Sequence, residues 1–506
     1  MANVLALDFG TSSVRAGVFE TSTRTMRAVA EEQYPTTHPR SGWAEQNPED
    51  WWNALRIVAR RVVADAGAAS INAMCVAATS STVVFCTRAG MPIRPAILWM
   101  DCRAAVQSRA TEAVRHQVLD YSGGSDAVEW LIPKAMWLAQ TEPNCYREAE
   151  VICEAVDFIN FRLTGCWTGS RLNATCKWNY NALDGRFAPE LFEAFGIADI
   201  VDRLPTEIVP VGKIVGEVGP EVAAELGITP YAIVAQGGID AHMGVFGAGT
   251  LEPGNMLMIG GTSIVHLTQF SERPTLRGIW GPYPNALVDG LWLVEGGQVS
   301  AGSILTWLTE RIFGLDRSGE LELIEEASRI GVGSSGLLTL DYWMGNRTPY
   351  RDPDLRGGIL GLSLWHDRAA IYHSAVEAIA LGSANVIGEL QNDGVRIDRL
   401  VIAGGICKNA LWLRATADAI GRPIEVVSDG NLSLLGGAVS AAVALGLFSN
   451  LLEASQAFAA ATRVIEPCEA SHESFTRLLP GYRHATETIA PIAHRLVHES
   501  AGRVAR

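Results

Sequence analysis

The first place where this chain could do chemistry is an acidic residue just beyond a glycine pair. An apolar run beginning at Ile233 stops at Gln236-Gly237-Gly238, and Asp240 follows where a strand would give way to a helix. A carboxylate there is a candidate general base or cation ligand, and equally a candidate helix cap. Downstream, Met256 to Ile259 breaks at Gly260-Gly261-Thr262-Ser263 and resumes with Ile264-Val265, which predicts strand, tight turn, strand. Such a turn presents backbone N–H groups and small hydroxyls, donors suited to phosphate oxygens. The same device opens the chain: Val4 to Leu7 runs into Asp8-Phe9-Gly10-Thr11-Ser12-Ser13 and then Val14 to Phe19. The two Gly-Thr-Ser turns lie almost half of the 506-residue chain apart. Two related halves, each offering a phosphate-holding hairpin to a shared cleft, are therefore expected.

Length and composition bound the rest. A chain of 506 residues exceeds one ordinary core, so two large domains are expected, divided near Gly247 to Gly254. Net charge is −15 with no basic run, which argues against nucleic acid or an anionic membrane as partner. Nine scattered cysteines without a C-x-x-C pair suggest neither a disulfide framework nor a zinc site. A core strand starts within four residues of Met1, leaving no room for a signal peptide, and the Leu434 to Leu452 stretch is interrupted by Gly and Ser. A cytoplasmic location follows as the expectation.

The elements that must position the candidates alternate between strand and helix. Residues 4 to 34 read as a β-meander, Pro48 to Gly67 as a helix, and Ile71 to Ala77 as a buried strand ending at Thr79-Ser80-Ser81. A short run, Ala96 to Met100, ends in Asp101-Cys102-Arg103, and amphipathic helices are expected over 104–119, 131–140 and 147–163. In the second half, Leu291 to Val294 is expected to end as a strand at Glu295-Gly296-Gly297-Gln298. A long helix over Ala369 to Asp393 precedes the strand Leu400 to Ala403, which breaks at Gly404-Gly405 and restarts as helix after Asn409. Leu434-Leu435-Gly436-Gly437 opens a small-residue helix, and the last thirty residues read as a helical tail. The class is α/β. A literal G-x-G-x-x-G at Gly331 to Gly336 follows a helix and precedes a strand, the reverse of the dinucleotide order, so it reads as a loop. No Walker A motif is present.

These motifs together resemble the FGGY carbohydrate kinases, over nearly the whole chain. The resemblance rests on both hairpins, on Gly404-Gly405, and on Gly357 to Glu377, GGILGLSLWHDRAAIYHSAVE, which departs from the family signature at Ala370. It implies a two-lobed actin, Hsp70 and sugar-kinase-like (ribonuclease H-like) fold, with duplicated domains over 1–248 and 249–506 around a central cleft. It also implies ATP and Mg²⁺. Gly10, Thr11, Ser12, Ser13 and Arg15 with Gly261, Thr262 and Ser263 would hold the ATP phosphates. Gly404, Gly405 and Asn409 would lie by the adenosine. Asp8 and Asp240 would serve the metal, with Asp240 as the base for the sugar hydroxyl.

Within that family the segments GGSDAVEWLIPK, ATCKWNY, IDAHMG and EGGQ are most similar to ribulokinases. The similarity would place Trp130, Lys177, Asp240 and Glu295 around a pentulose, with Gln298 beside Glu295 and with Trp99 and Asp101 near the sugar. WGPY at Trp280 to Tyr283 looks nearer to the D-ribulose branch than to the bacterial L-ribulose branch. Bland readings remain open at this stage. Lys177 could be a solvated surface residue, Trp130 core, Asp8 a turn residue, Glu295 and Gln298 capping groups, and Asp101 with Arg103 a structural pair. The expected function is phosphorylation of the terminal hydroxyl of ribulose. A xylulokinase, a tetrulose or polyol (erythritol-type) kinase, and a non-catalytic sugar or nucleotide sensor are the alternatives. The expected partners are a small-molecule sugar and a second copy in a homodimer, with no nucleic acid and no membrane.

Overall fold

A computed structural model describes residues 2–504 except 69, 277 and 429. It contains two large sheets with the same pairing logic. In the first, Thr25–Gln33, Ser13–Glu20 and Asn3–Phe9 form an antiparallel meander; Ala73–Ala78 and Ile233–Ala235 then add in parallel, and Ile214–Glu217 closes the edge antiparallel. In the second, Trp292–Gln298, Ile264–Phe270 and Asn255–Gly260 form the meander, Arg399–Ala403 and Ile424–Val427 add in parallel, and Thr462–Ile465 closes antiparallel. The second sheet carries one further strand, Trp280–Pro284, outside its meander. Identical order and sense in both halves is the structural form of the duplication legible in the two turns.

The turns themselves differ by one residue. Phe9 pairs with Val14 around the first, whereas Gly260 pairs with Ile264 around the second. In both, the N–H of the leading glycine donates across the turn, from Gly10 to the Ser13 carbonyl at 2.9 Å and from Gly261 to the Ser263 carbonyl at 2.8 Å.

Two helices join the halves. Asp240–Gly247 starts at the end of the first sheet, and Leu432–Ala444, from the second half, packs on it and on Asn3–Phe9 and Ala73–Ala78. Their crossing is close because Gly436 lies against the Met243 carbonyl and Gly247 against the Leu432 carbonyl, positions where a Cβ would collide. One core consequently spans both sheets, with Val4, Cys75 and Phe246 in the same cluster as Leu257, Val401 and Ala438.

Three sequence expectations are corrected. The 104–119 helix is only Ala105–Thr111, followed by turns and a short 3₁₀ segment at Leu119–Tyr121. The 147–163 helix is broken by the strand Val151–Glu154, which pairs with Val83–Cys86 before the helix Ala155–Thr164. A fully buried apolar run carries neither period, so its type is decided by pairing. The third strand of the second meander continues through Gln298 instead of ending at Glu295. The tail is the helix Glu469–Val504, and no described helix is long and apolar enough to cross a membrane.

Candidate active site

Asp240 is the first residue of its helix, and one of its carboxylate oxygens accepts the Ala241 N–H at 2.7 Å. Burial, then the negative charge of Asp8, raises its pKa from 3.8 to about 7. A local backbone hydrogen bond and a second buried acid thus act on one side chain. Asp8, at the end of the first strand, is buried; its Oδ2 accepts from Arg15 at 2.5 Å and from the Ser433 hydroxyl at 2.6 Å. Its Oδ1 is buried with no hydrogen-bond partner. Arg15 is directly opposite Asp8 across the hairpin, so strand register alone makes that pair. Thr11, Ser12, Thr262 and Ser263 all reach solvent at the two turns, whereas the Ser13 hydroxyl turns away to Glu31 at 2.5 Å.

The second turn opens on a cavity of about 560 Å³ whose walls include Gly261, Thr262, Gly405, Lys408, Asn409 and Trp412. Gly404 adopts φ 92 and sits against the Gly260 carbonyl, where any Cβ would clash. The glycine pair therefore keeps the cavity floor flush with the Gly261-Thr262-Ser263 turn. Asn409 lines the cavity and also serves the fold: its Oδ1 accepts the Trp412 N–H as a helix cap, and its Nδ2 donates to the Tyr372 hydroxyl at 2.9 Å. Trp412 carries the nearest unmet need, a buried indole N–H with no partner.

A second cluster joins the halves beside Asp240. Lys177, on the helix Arg171–Lys177, donates to Glu295 of the second sheet at 3.0 Å. Its ammonium lies 4.9 Å from the Trp130 ring and 4.7 Å from the Trp280 ring, both within cation–π reach. Burial pushes the Glu295 pKa upward, but Lys177, His242 and Arg347 outweigh it and hold the carboxyl below the usual range. His242 is 3.6 Å from Glu295, and burial lowers its pKa to about 4. Neither of its two ring nitrogens has a hydrogen-bond partner.

Two expected sugar residues have other partners. Gln298 donates to Asp341 at 2.8 Å and to the Ile379 carbonyl, and accepts from Ser383. Side chains alternate along a strand, so with Glu295 facing Lys177, a residue three positions on faces the opposite layer. Asp101 is fully buried in a bidentate pair with Arg103, at 2.8 and 2.7 Å, and also accepts the Ala44 N–H. The structural reading of that pair is the one its geometry supports. Trp99 donates its indole N–H to Thr11 at 3.1 Å, which brings it to the first Gly-Thr-Ser turn. Sequence reading missed Ser433, which lies 425 positions from Asp8 and carries no motif. It also left Trp280 unassigned as a site residue, although the WGPY segment was visible.

The second cluster supports one mutational prediction. Lys177→Met leaves Glu295 buried without its cation, so about 3 kcal/mol of stability should be lost, with much of it recovered in a Lys177→Met/Glu295→Gln double variant. Denaturant melts of the three proteins read this directly.

The two halves thus share matching Gly-Thr-Ser turns, the neighbouring acids Asp8 and Asp240, and a polar cluster built from both halves. Models of the N-terminal and C-terminal domains of the FGGY family of carbohydrate kinases match residues 3–247 and 256–445. A human FGGY carbohydrate kinase domain-containing protein is 30% identical over 92% of both chains. A ribulokinase of Shouchella clausii (strain KSM-K16) is 30% identical over 87% of this chain and 86% of its own. Among solved structures, a xylulose kinase from Rhodospirillum rubrum superposes with a TM-score of 0.85 at 25% identity, over 97% of this chain and all of that one (100%). The chain belongs to the FGGY family of carbohydrate kinases.

Proposed function

We propose that this protein transfers the γ-phosphoryl group of ATP to the terminal hydroxyl of a pentulose, with ribulose as the substrate. The observation that carries the reading is the Lys177–Glu295 pair, contributed by different halves and set beside Asp240. Glu295 can accept from sugar hydroxyls and Lys177 can donate to them. Trp130 and Trp280 offer apolar faces for the sugar's C–H surface. The similarity to ribulokinases at 30% identity favours ribulose among pentuloses.

Asp240 accepts the proton of the attacking hydroxyl. The solvent-reaching groups of the two turns bind phosphate oxygens, and the cavity beside Gly405 and Trp412 takes the adenosine. The residues present fit a divalent cation, because Asp8 holds an unpartnered buried oxygen and lies close enough to Asp240 to raise its pKa. Asp8 and Asp240 would hold Mg²⁺ largely through water, and the ion would neutralise charge on the transferring phosphoryl group. Arg15 holds Asp8 in place through their contact at 2.5 Å.

An ADP-release assay across D- and L-ketopentoses, tetruloses and polyols tests the reading. The highest kcat/KM is expected with ribulose. Faster turnover of xylulose would move the assignment to the activity named for the Rhodospirillum rubrum structure, and no turnover of any ketopentose would overturn it.

A further inference from the structure

The turn Thr79–Thr82 lies between the two acidic residues of the cleft. The Thr79 N–H donates to the Phe9 carbonyl, next to Asp8, and the Ala78 N–H donates to the Gly238 carbonyl, two residues before Asp240. Ser80 is partly exposed, whereas Ser81 is buried and holds φ 60, a left-handed conformation that costs a residue with a Cβ. Two buried ionisable groups grip that strained residue by its backbone. Glu154 accepts its N–H at 2.7 Å, and the Lys134 ammonium donates to its carbonyl at 2.6 Å.

Neither group is solvent-exposed. Glu154 also accepts from Asn173 and from the Trp178 indole, each at 2.7 Å, and so ties the turn to the helix that ends in Lys177. Lys134 also donates to the Leu98 carbonyl at 2.7 Å, and so ties the turn to the wall carrying Trp99. Burial lowers the Lys134 pKa to about 7, against the pull of Asp101, Glu154 and Glu129. A buried lysine whose side-chain hydrogen bonds, among the described residues, go to two backbone carbonyls holds two loops in fixed relation.

We propose that Lys134 is a positioning residue for sugar recognition. With Glu154 it locks Ser81 in its left-handed conformation, sets the Ser80 hydroxyl at the cleft, and fixes the distance from that turn to Trp99. The proposal rests on the kinase reading above, and it puts Lys134 in contact with neither sugar nor nucleotide.

Lys134→Met removes both donors without changing the length of the side chain much. The ketose KM is expected to rise about ten- to a hundredfold, with kcat and the ATP KM within about threefold of wild type. Ser81→Gly in that background should recover part of the ketose KM, because glycine takes φ 60 without strain. A generally loosened core would not be repaired by that second change. Lys134→Gln, which keeps two N–H donors on a shorter arm, should fall between wild type and Lys134→Met. If Lys134→Met is recovered unfolded, Lys134→Gln with and without Ser81→Gly carries the comparison. An unchanged ketose KM in the Lys134 variant used, or no recovery on adding Ser81→Gly, overturns the proposal. Wild-type enzyme that phosphorylates no ketose instead overturns the underlying pentulose reading, so the two failures are distinguishable.

Discussion

Asp240→Asn is expected to lower kcat by about three to four orders of magnitude while leaving ATP binding within a few-fold of wild type. The amide keeps the size of the carboxylate and can still accept the Ala241 N–H, but it cannot take a proton from a hydroxyl. Single-turnover kinetics with isothermal titration of ATP separates the two effects, and a variant retaining most of its turnover would remove Asp240 as the base.

The same substitution has a signed effect on stability. The folded-state pKa of Asp240 is raised from 3.8 to about 7, first by burial and then by Asp8. Well below pH 3.8 the group is protonated in both folded and unfolded chains, and its contribution cancels. As pH rises through 4 to 7 the unfolded chain releases its proton first, so the folded state loses stability, and the full penalty is present above about pH 7. Asp240→Asn should therefore raise the Tm of the ligand-free protein by a few degrees at pH 8 and leave it unchanged near pH 3.5, if the protein remains folded there. In wild type, kcat/KM for the sugar should climb with pH up to about 7 as the base ionises.

Gly436→Ala is expected to be the most damaging substitution outside the site. A Cβ at Gly436 would overlap the Met243 backbone carbonyl, and neither helix can yield without moving Asp240 or Ser433. The loss should reach about 4 kcal/mol or more, the range of severe overpacking, and appear as insoluble protein or a Tm lowered by about four degrees or more. Gly481→Ala is the control. That glycine is exposed in the C-terminal helix with nothing near its missing Cβ, and alanine there should be neutral or stabilising by up to about 1 kcal/mol. Equal behaviour of the two variants would mean that the helix crossing is not the joint between the halves.

Local signals carried much of this protein. The two Gly-Thr-Ser turns, the strand ending before Asp240 and the glycine pair at Gly404 were readable because each is a short-range conflict between an apolar run and residues that cannot continue it. The α/β class and the two-halved plan followed from the same pattern, and the two sheets have it. The strand Val151–Glu154 was hidden inside a run buried on all sides, where hydrophobicity has no period to show.

Side-chain partnership was decided by tertiary structure. Asp101 and Gln298 are polar residues at strand ends in the sequence, but Arg103 and Asp341 claim them, and only the register of neighbouring strands and helices determines that. Ser433 meets Asp8 because the Leu432–Ala444 helix crosses back onto the first sheet. Lys177 finds Glu295 because the two halves close face to face. Backbone preference is a property of a few consecutive residues and is written locally. A buried charge takes whichever partner the packed chain brings within about 3 Å, and that partner can lie anywhere along it.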